Sequence, residues 1–68
     1  MNLAEGPWPK CVGMTGENCK NHILANAKDI NSVDVIPQDS MVTMDFSTSR
    51  VRVFIDDDGI VVMIPKRG

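Results

Sequence analysis

A basic excess, a long apolar run and a dense set of cysteines are all missing from this chain, and each lack removes a class of function. Seven Lys and Arg stand against nine Asp and Glu, a net charge of −2. Nucleic-acid binding needs a basic face or stripe, so no nucleic-acid partner is expected. No stretch nears the roughly 18 apolar residues that cross a bilayer, so no membrane partner is expected either. The start, MNLAEGPWPK, has neither a basic n-region nor an apolar h-region. The chain therefore reads as cytoplasmic, or as the mature form of a vacuolar or secreted protein.

Catalytic hardware is equally sparse. No paired carboxylates, phosphate-cradling glycine loop or nucleophile–base pair stands out. At 68 residues the chain makes one small domain, and a pocket of several hundred cubic ångströms would remove core that it needs. The expectation is a protein without enzyme activity or cofactor, working through its surface. Cys11 and Cys19 are too few for a disulfide scaffold and cannot complete a tetrahedral zinc site alone. They read either as a disulfide closing a loop of about nine residues or as small buried hydrophobes. His22 is the only candidate partner for a reactive thiol, and it reads as a solvated residue. Asp56, Asp57 and Asp58 lack the ligand spacing and closing Glu of a calcium loop, so no metal is expected.

What is present is a short run of clear elements. Trp8 sits between prolines and, in a chain with only three aromatics, reads as a core plug. Thr15 is a candidate N-cap, with Glu17 in the first turn. Cys19, Ile23, Leu24 and Ala27 then recur at helical spacing, predicting a helix over 16–27. VDVIP, 33–37, reads as a strand stopped by proline. RVRVFID, 50–56, alternates, with Val51, Val53 and Ile55 on one face and Arg50, Arg52 and Phe54 on the other. DDDG then signals a turn before IVVMIP, 60–65, expected as the second arm of a hairpin. The order predicts an α+β fold: a single helix packed on a small mixed β-sheet.

Between the first two strands lies a connection of about a dozen residues, longer than a compact domain needs and so functional or disordered by type. Its centre, MVTMDFSTSRVR, alternates without an apolar face. Arg50 and Arg52 share the sheet face over which this connection would arch, and a guanidinium fork suits carboxylates and carbonyls. They read either as holding the arch extended or as solvating the sheet.

Three blocks of sequence resemble one family. WPKCVGMTGENCKNHIL is similar to the WPELVG…A…IL opening of the potato inhibitor I family of serine protease inhibitors, the barley chymotrypsin inhibitor and eglin type. VTMDF and RVRVF, with four residues between Asp45 and Arg50, resemble that family's reactive loop and supporting strand. VVMIPKRG resembles its V-P-x-x-G ending. The resemblance implies one inhibitor domain over 1–68, with a flexible tail at 1–7 and a long exposed reactive loop at 38–49. It implies Met44–Asp45 as the scissile bond and Met41, Val42, Thr43, Phe46 and Ser47 as protease-contacting positions. Arg50, Arg52 and Gly68 are implied as loop support, Gly68 through its terminal carboxylate. The implied partners are chymotrypsin-like and subtilisin-like proteases, with elastase-like ones as an extension, met by a monomer. Ser47 stands where members often carry another arginine, and Cys11 and Cys19 replace what are commonly Leu and Ala. The alternative is a non-inhibitory interaction module that uses the same loop.

Overall fold

The structure, a computed structural model, describes residues 7–43 and 45–68. The expected tail at 1–7 falls outside these apart from Pro7, and Met44 also lies outside them. A 3-10 turn, Pro9–Cys11, leads into helix α1, Gly16–Asn26, followed by strands β1, Ser32–Pro37, β2, Arg50–Ile55, and β3, Lys66–Arg67. The sheet order is β1-β2-β3, with β1 parallel and β3 antiparallel to β2. One helix on a small mixed sheet is the α+β arrangement expected from the sequence.

Helix α1 begins where its cap chemistry directs. Thr15 has an extended backbone, and its side chain accepts from the Asn18 N–H at 3.2 Å, meeting one of the donors a helix start leaves free. The helix ends one residue earlier than the apolar spacing suggested, with Ala27 as its C-cap. Its buried stripe is Gly16, Cys19 and Ile23, continued by Ala27. Leu24, expected in that stripe, is 40% exposed. It lies about 100° round the helix from Ile23, outside the footprint of so narrow a sheet. Gly16 is where α1 meets β1: a Cβ there would lie 2.6 Å from Val35 Cγ1, so only glycine allows this approach.

The core is Trp8, Cys11, Cys19, Ile23, Ala27, Ile30, Val33, Val51, Val53 and Val61. Trp8 is buried as a plug, and its backbone N–H donates to Pro65 O at 3.0 Å. Cys11 and Cys19 are bonded to each other and inaccessible to solvent, tying the 3-10 turn to the second turn of α1.

The expected hairpin arm at 60–65 is not a strand. The turn itself forms: Asp56 Oδ1 accepts from the N–H groups of Asp58 and Ile60 at 2.8 and 3.0 Å, and Gly59 takes φ +81°. Beyond it, Val61 N–H donates to Met14 O, while Gly13 and Gly16 N–H groups donate to Val61 O and Gly59 O. This stretch is thus shared between β2 and the segment that precedes α1. Ile55 bridges Val61 and Val51 pairs with Arg67. Five residues on β2, 51–55, therefore face seven on the returning chain, 61–67, a bulge that pushes Met63 and Ile64 out to half exposure. Pro65, with no N–H to give a ladder, sits at the end of the bulge. The antiparallel partner of β2 is displaced to Lys66–Arg67.

Because the disulfide closes a loop of about nine residues, replacing both cysteines with Ala should lower unfolding free energy by about 2.5 kcal/mol. Guanidinium titration of parent and double variant checks this, with a slope equal to or slightly above the parent's expected, because the uncrosslinked chain unfolds further. A loss below about 0.5 kcal/mol would mean that the bond restrains the unfolded chain little.

Candidate functional site

Parallel pairing dictates the path of residues 38–49. Ser32 faces Arg50 and Pro37 faces Ile55, so the chain leaving β1 must return the whole length of the strand before β2 begins. Such crossovers usually carry a helix. Here the described part of the connection is irregular, with extended exposure: Met41 is 97% and Phe46 71% exposed, and Val42 is partly so. Gln38 N–H to Ile55 O, 2.8 Å, and Ser40 N–H to Pro37 O, 3.0 Å, turn the chain out of β1.

Arg50 and Arg52 rise from the face of β2 opposite the buried Val51 and Val53, and both reach this connection. Arg50 Nη1 donates to Asp45 Oδ2 at 3.1 Å, its Nη2 to Asp45 O at 2.8 Å, and its Nε to Gly68 O at 2.8 Å. Arg52 Nη1 donates to Thr43 O at 3.1 Å and its Nη2 to Thr43 Oγ1 at 2.7 Å. The same Nη2 lies 3.7 Å from Asp45 Oδ1. Position 50 thus meets 45, and 52 meets 43: the loop runs antiparallel above the strand, and side chains two apart on one bond to residues two apart on the other. Among the described residues, no backbone hydrogen bond joins 41–46 to β2. The guanidiniums are rungs across a gap too wide for a ladder.

Gly68 closes the assembly from below. Its N–H donates to Arg50 O at 3.0 Å, its oxygen takes the Arg50 Nε hydrogen bond, and the Phe46 ring approaches it from the loop. At the far end, Ser47 Oγ lies 3.2 Å from Ser49 Oγ and accepts from the Ser49 N–H. The structure therefore brings Thr43, Asp45, Phe46, Arg50, Arg52 and Gly68 together, leaves Met41 pointing into solvent, and puts Ser47 in the turn before β2. Cys11 and Cys19 lie in the core on the other side of the sheet, and with both sulfurs bonded no thiol faces His22.

Reading by motif passes over Arg67. It binds Asp29 through two hydrogen bonds of 3.0 and 3.1 Å and donates to Thr48 O at 2.6 Å. Its only sequence signal is a cation two residues beyond the expected strand at 60–65, and nothing in the pattern links that position to residue 48. Two shallow concavities, of about 170 and 250 Å³, fall below the roughly 300 Å³ at which small-molecule sites begin. The arrangement is built to present a chain segment.

Asp45 carries the electrostatic signature of the site. A hydrogen bond with the Thr43 side chain, then one from Arg50, holds its carboxyl at about 2, below the ordinary 3.8. The side chain is 61% exposed, so hydrogen bonding sets the shift and not burial. A depressed folded value means that these contacts stabilise the loop fully above about pH 4 and lose that contribution as pH falls through about 2. An NMR titration of the Asp45 side chain should give a midpoint near 2 in the parent and one closer to 3.8 in Arg50→Met. A parent midpoint at the ordinary value would mean that the rungs do not hold in solution.

Residues 3–68 match the potato inhibitor I family. Among curated relatives, subtilisin inhibitor 1 of Phaseolus angularis is 36% identical over 90% of this chain and 65% of its own length. A chymotrypsin inhibitor of Lumbricus terrestris is 41% identical over 90% of this chain and 70% of its own. The subtilisin-chymotrypsin inhibitor CI-1B of Hordeum vulgare is 38% identical over 76% and 61%. The chain thus spans about two thirds of the length of these relatives. Among solved structures, the bitter gourd trypsin inhibitor superposes with a TM-score of 0.88 at 35% identity, over 96% of this chain and 94% of the other.

Proposed function

Because this chain belongs to the potato inhibitor I family, we propose that it is a substrate-like, reversible inhibitor of serine proteases and presents Met44–Asp45 as the scissile bond. The observation that carries this reading is the pair of guanidinium rungs, which grip residues 43 and 45 on either side of position 44.

A serine protease reads an extended chain by pairing it with its own backbone and taking alternate side chains into pockets. Ordering a free peptide for this costs about 1–2 kcal/mol per residue. A loop already held by Arg50, Arg52 and Gly68 incurs that cost during folding, so binding keeps more of its contact energy. Met41, Val42, Thr43, Phe46 and Ser47 supply the flanking contacts. Relatives named for subtilisin, chymotrypsin and trypsin share the frame, so the loop residue chooses among proteases. Unbranched, uncharged Met44 suits the apolar primary pockets of chymotrypsin-like, subtilisin-like and elastase-like enzymes. It gains little from the acidic pocket base of a trypsin-like one.

Persistence is the second requirement. The protease serine Oγ adds to the Met44 carbonyl carbon, the C–N bond to Asp45 breaks, and the amine leaves with a proton from the enzyme's histidine. In a flexible substrate that amine diffuses away and water takes its place. Here Arg50 holds the new terminal residue through both its carboxylate and its carbonyl. Effective molarities of about 10⁵ M for well-oriented groups then favour attack of the Asp45 amine on the acyl-enzyme, which reforms the bond. The chain acts as a monomer and catalyses nothing itself.

Titrating subtilisin and chymotrypsin with this protein, followed for hours with mass spectrometry, should give stoichiometric, lasting loss of activity with any cut confined to Met44–Asp45. Trypsin should keep most of its activity. Progressive digestion of the chain would overturn the reading and leave a displayed loop for some non-protease partner. Arg52→Ala removes the Thr43 rung and should weaken inhibition about 10- to 100-fold, the scale of one or two charge-assisted hydrogen bonds, with cleaved chain accumulating. A variant as resistant to cleavage as the parent would show that Arg52 does not stiffen the loop.

A further inference from the structure

The foot of the loop is closed by three consecutive carbonyls, each with a donor of its own. Ser47 O accepts from the Arg50 N–H, and Ser49 O accepts from the N–H groups of Asn31 and Ser32 at 2.8 and 3.3 Å. Thr48 O, between them, accepts from Arg67 Nη1 at 2.6 Å. The donors to the outer two carbonyls are backbone N–H groups, so only the middle contact depends on the choice of a side chain.

That side chain is aimed from three sides. Nη1 and Nη2 of Arg67 donate to Oδ2 and Oδ1 of Asp29, a bidentate pair that fixes both position and plane. The guanidinium carbon lies 5.9 Å from the centroid of the buried Trp8 ring, within cation–π range. The Arg67 side chain is only 15% exposed while that of Asp29 is 54% exposed, so the fold shields the guanidinium and leaves the carboxylate in solvent, where the pair acts through geometry more than through charge. Asp29 lies between α1 and β1, and Thr48 lies between the loop and β2. Arg67 therefore fastens the exit of the loop to the end of the helix, to one side of the rungs at 43 and 45.

We propose that Arg67, oriented by Asp29, is a positioning residue for the C-terminal stem of the loop, and that it controls how long the two halves stay in register after cleavage. The inference rests on the inhibitor reading above. Arg50 and Arg52 hold residues 43 and 45, next to the bond. Arg67 meets the chain beyond it, at Thr48 O. Once Met44–Asp45 is cut, residues 45–49 become a short tether, held at Asp45 by Arg50 and at its base by the backbone bonds to Ser47 O and Ser49 O together with the Arg67 contact at Thr48 O. A loose stem lets the Asp45 amine stray from the acyl-enzyme, so hydrolysis overtakes bond reformation while first capture of the protease is little changed.

The test compares the parent with Arg67→Met, Asp29→Asn, the double variant and Val33→Ala, a buried change one residue from the Ser32 donor that controls for lost stability of β1 and the core. With subtilisin, Arg67→Met and Asp29→Asn should each be cut about tenfold faster, the scale of one charge-assisted hydrogen bond. Their inhibition constants should rise less than about threefold, and the double variant should be no worse than Arg67→Met, as expected of residues acting as one unit. Val33→Ala should be cut at the parent's rate. Parent-like cutting of Arg67→Met, or equal acceleration by Val33→Ala, overturns the inference while leaving the inhibitor reading intact. A parent that fails to inhibit overturns that reading instead, and the stem is then judged by hydrogen exchange at the Asn31 amide. That exchange should be about tenfold faster in Arg67→Met than in the parent or Val33→Ala. Unchanged exchange overturns the positioning role.

Discussion

The parallel pairing of β1 with β2 is the constraint from which the rest follows. An antiparallel pair can be closed by two residues, but a parallel pair must send its chain back along the full strand. In most folds a helix makes that return and covers the sheet. This protein places α1 before β1, on the buried face, so the described residues of 38–49 cross the other face without regular structure. Exposure of the loop is then a consequence of topology, and the sheet beneath it is free to carry side chains that serve the loop.

Arginine answers this situation because the gap is too wide for backbone pairing and the loop offers mainly oxygens. Each guanidinium spreads donors in a plane, so Arg50 can take the Asp45 carboxylate, the Asp45 carbonyl and Gly68 O together. Isolated surface ion pairs add little to stability. Here most of the contacts are charge-assisted hydrogen bonds from half-buried guanidiniums to fixed oxygens, and the two rungs share Asp45. The gain is geometric as much as energetic: a lysine would supply a charge and no fork. The core below is confined to the side of β2 that faces the helix, with the Cys11–Cys19 bond bracing the entry to α1.

Much of this was legible in the sequence because it rests on local rules. Thr15, the spacing of Cys19 and Ile23, the alternation of Val51 and Val53, and the Asp-Gly turn each have a short-range cause. Arg50 and Arg52 could be assigned to the loop's side of the sheet by period alone. Two expectations failed for reasons that no local rule contains. Leu24 has the right spacing for the helix's apolar stripe, yet the sheet is too narrow to cover it. IVVMIP has the composition of a strand, yet its hydrogen bonds are divided between β2 and the segment before α1, so the true strand begins only at Lys66.

The sequence by itself determined helix α1 and strands β1 and β2, which face of β2 is apolar, and that two guanidiniums share the opposite face. It also determined the family through motifs spread along nearly the whole chain. Only the tertiary structure decided the partners: 50 with 45, 52 with 43, and 67 with both 29 and 48. Periodicity fixes where a side chain points. What it meets depends on strand register, and the register of β3 is set by a bulge that arises when one short segment serves two neighbours at once. The distance of 38 residues between Asp29 and Arg67 is closed by the sheet, and no pattern within either stretch records it.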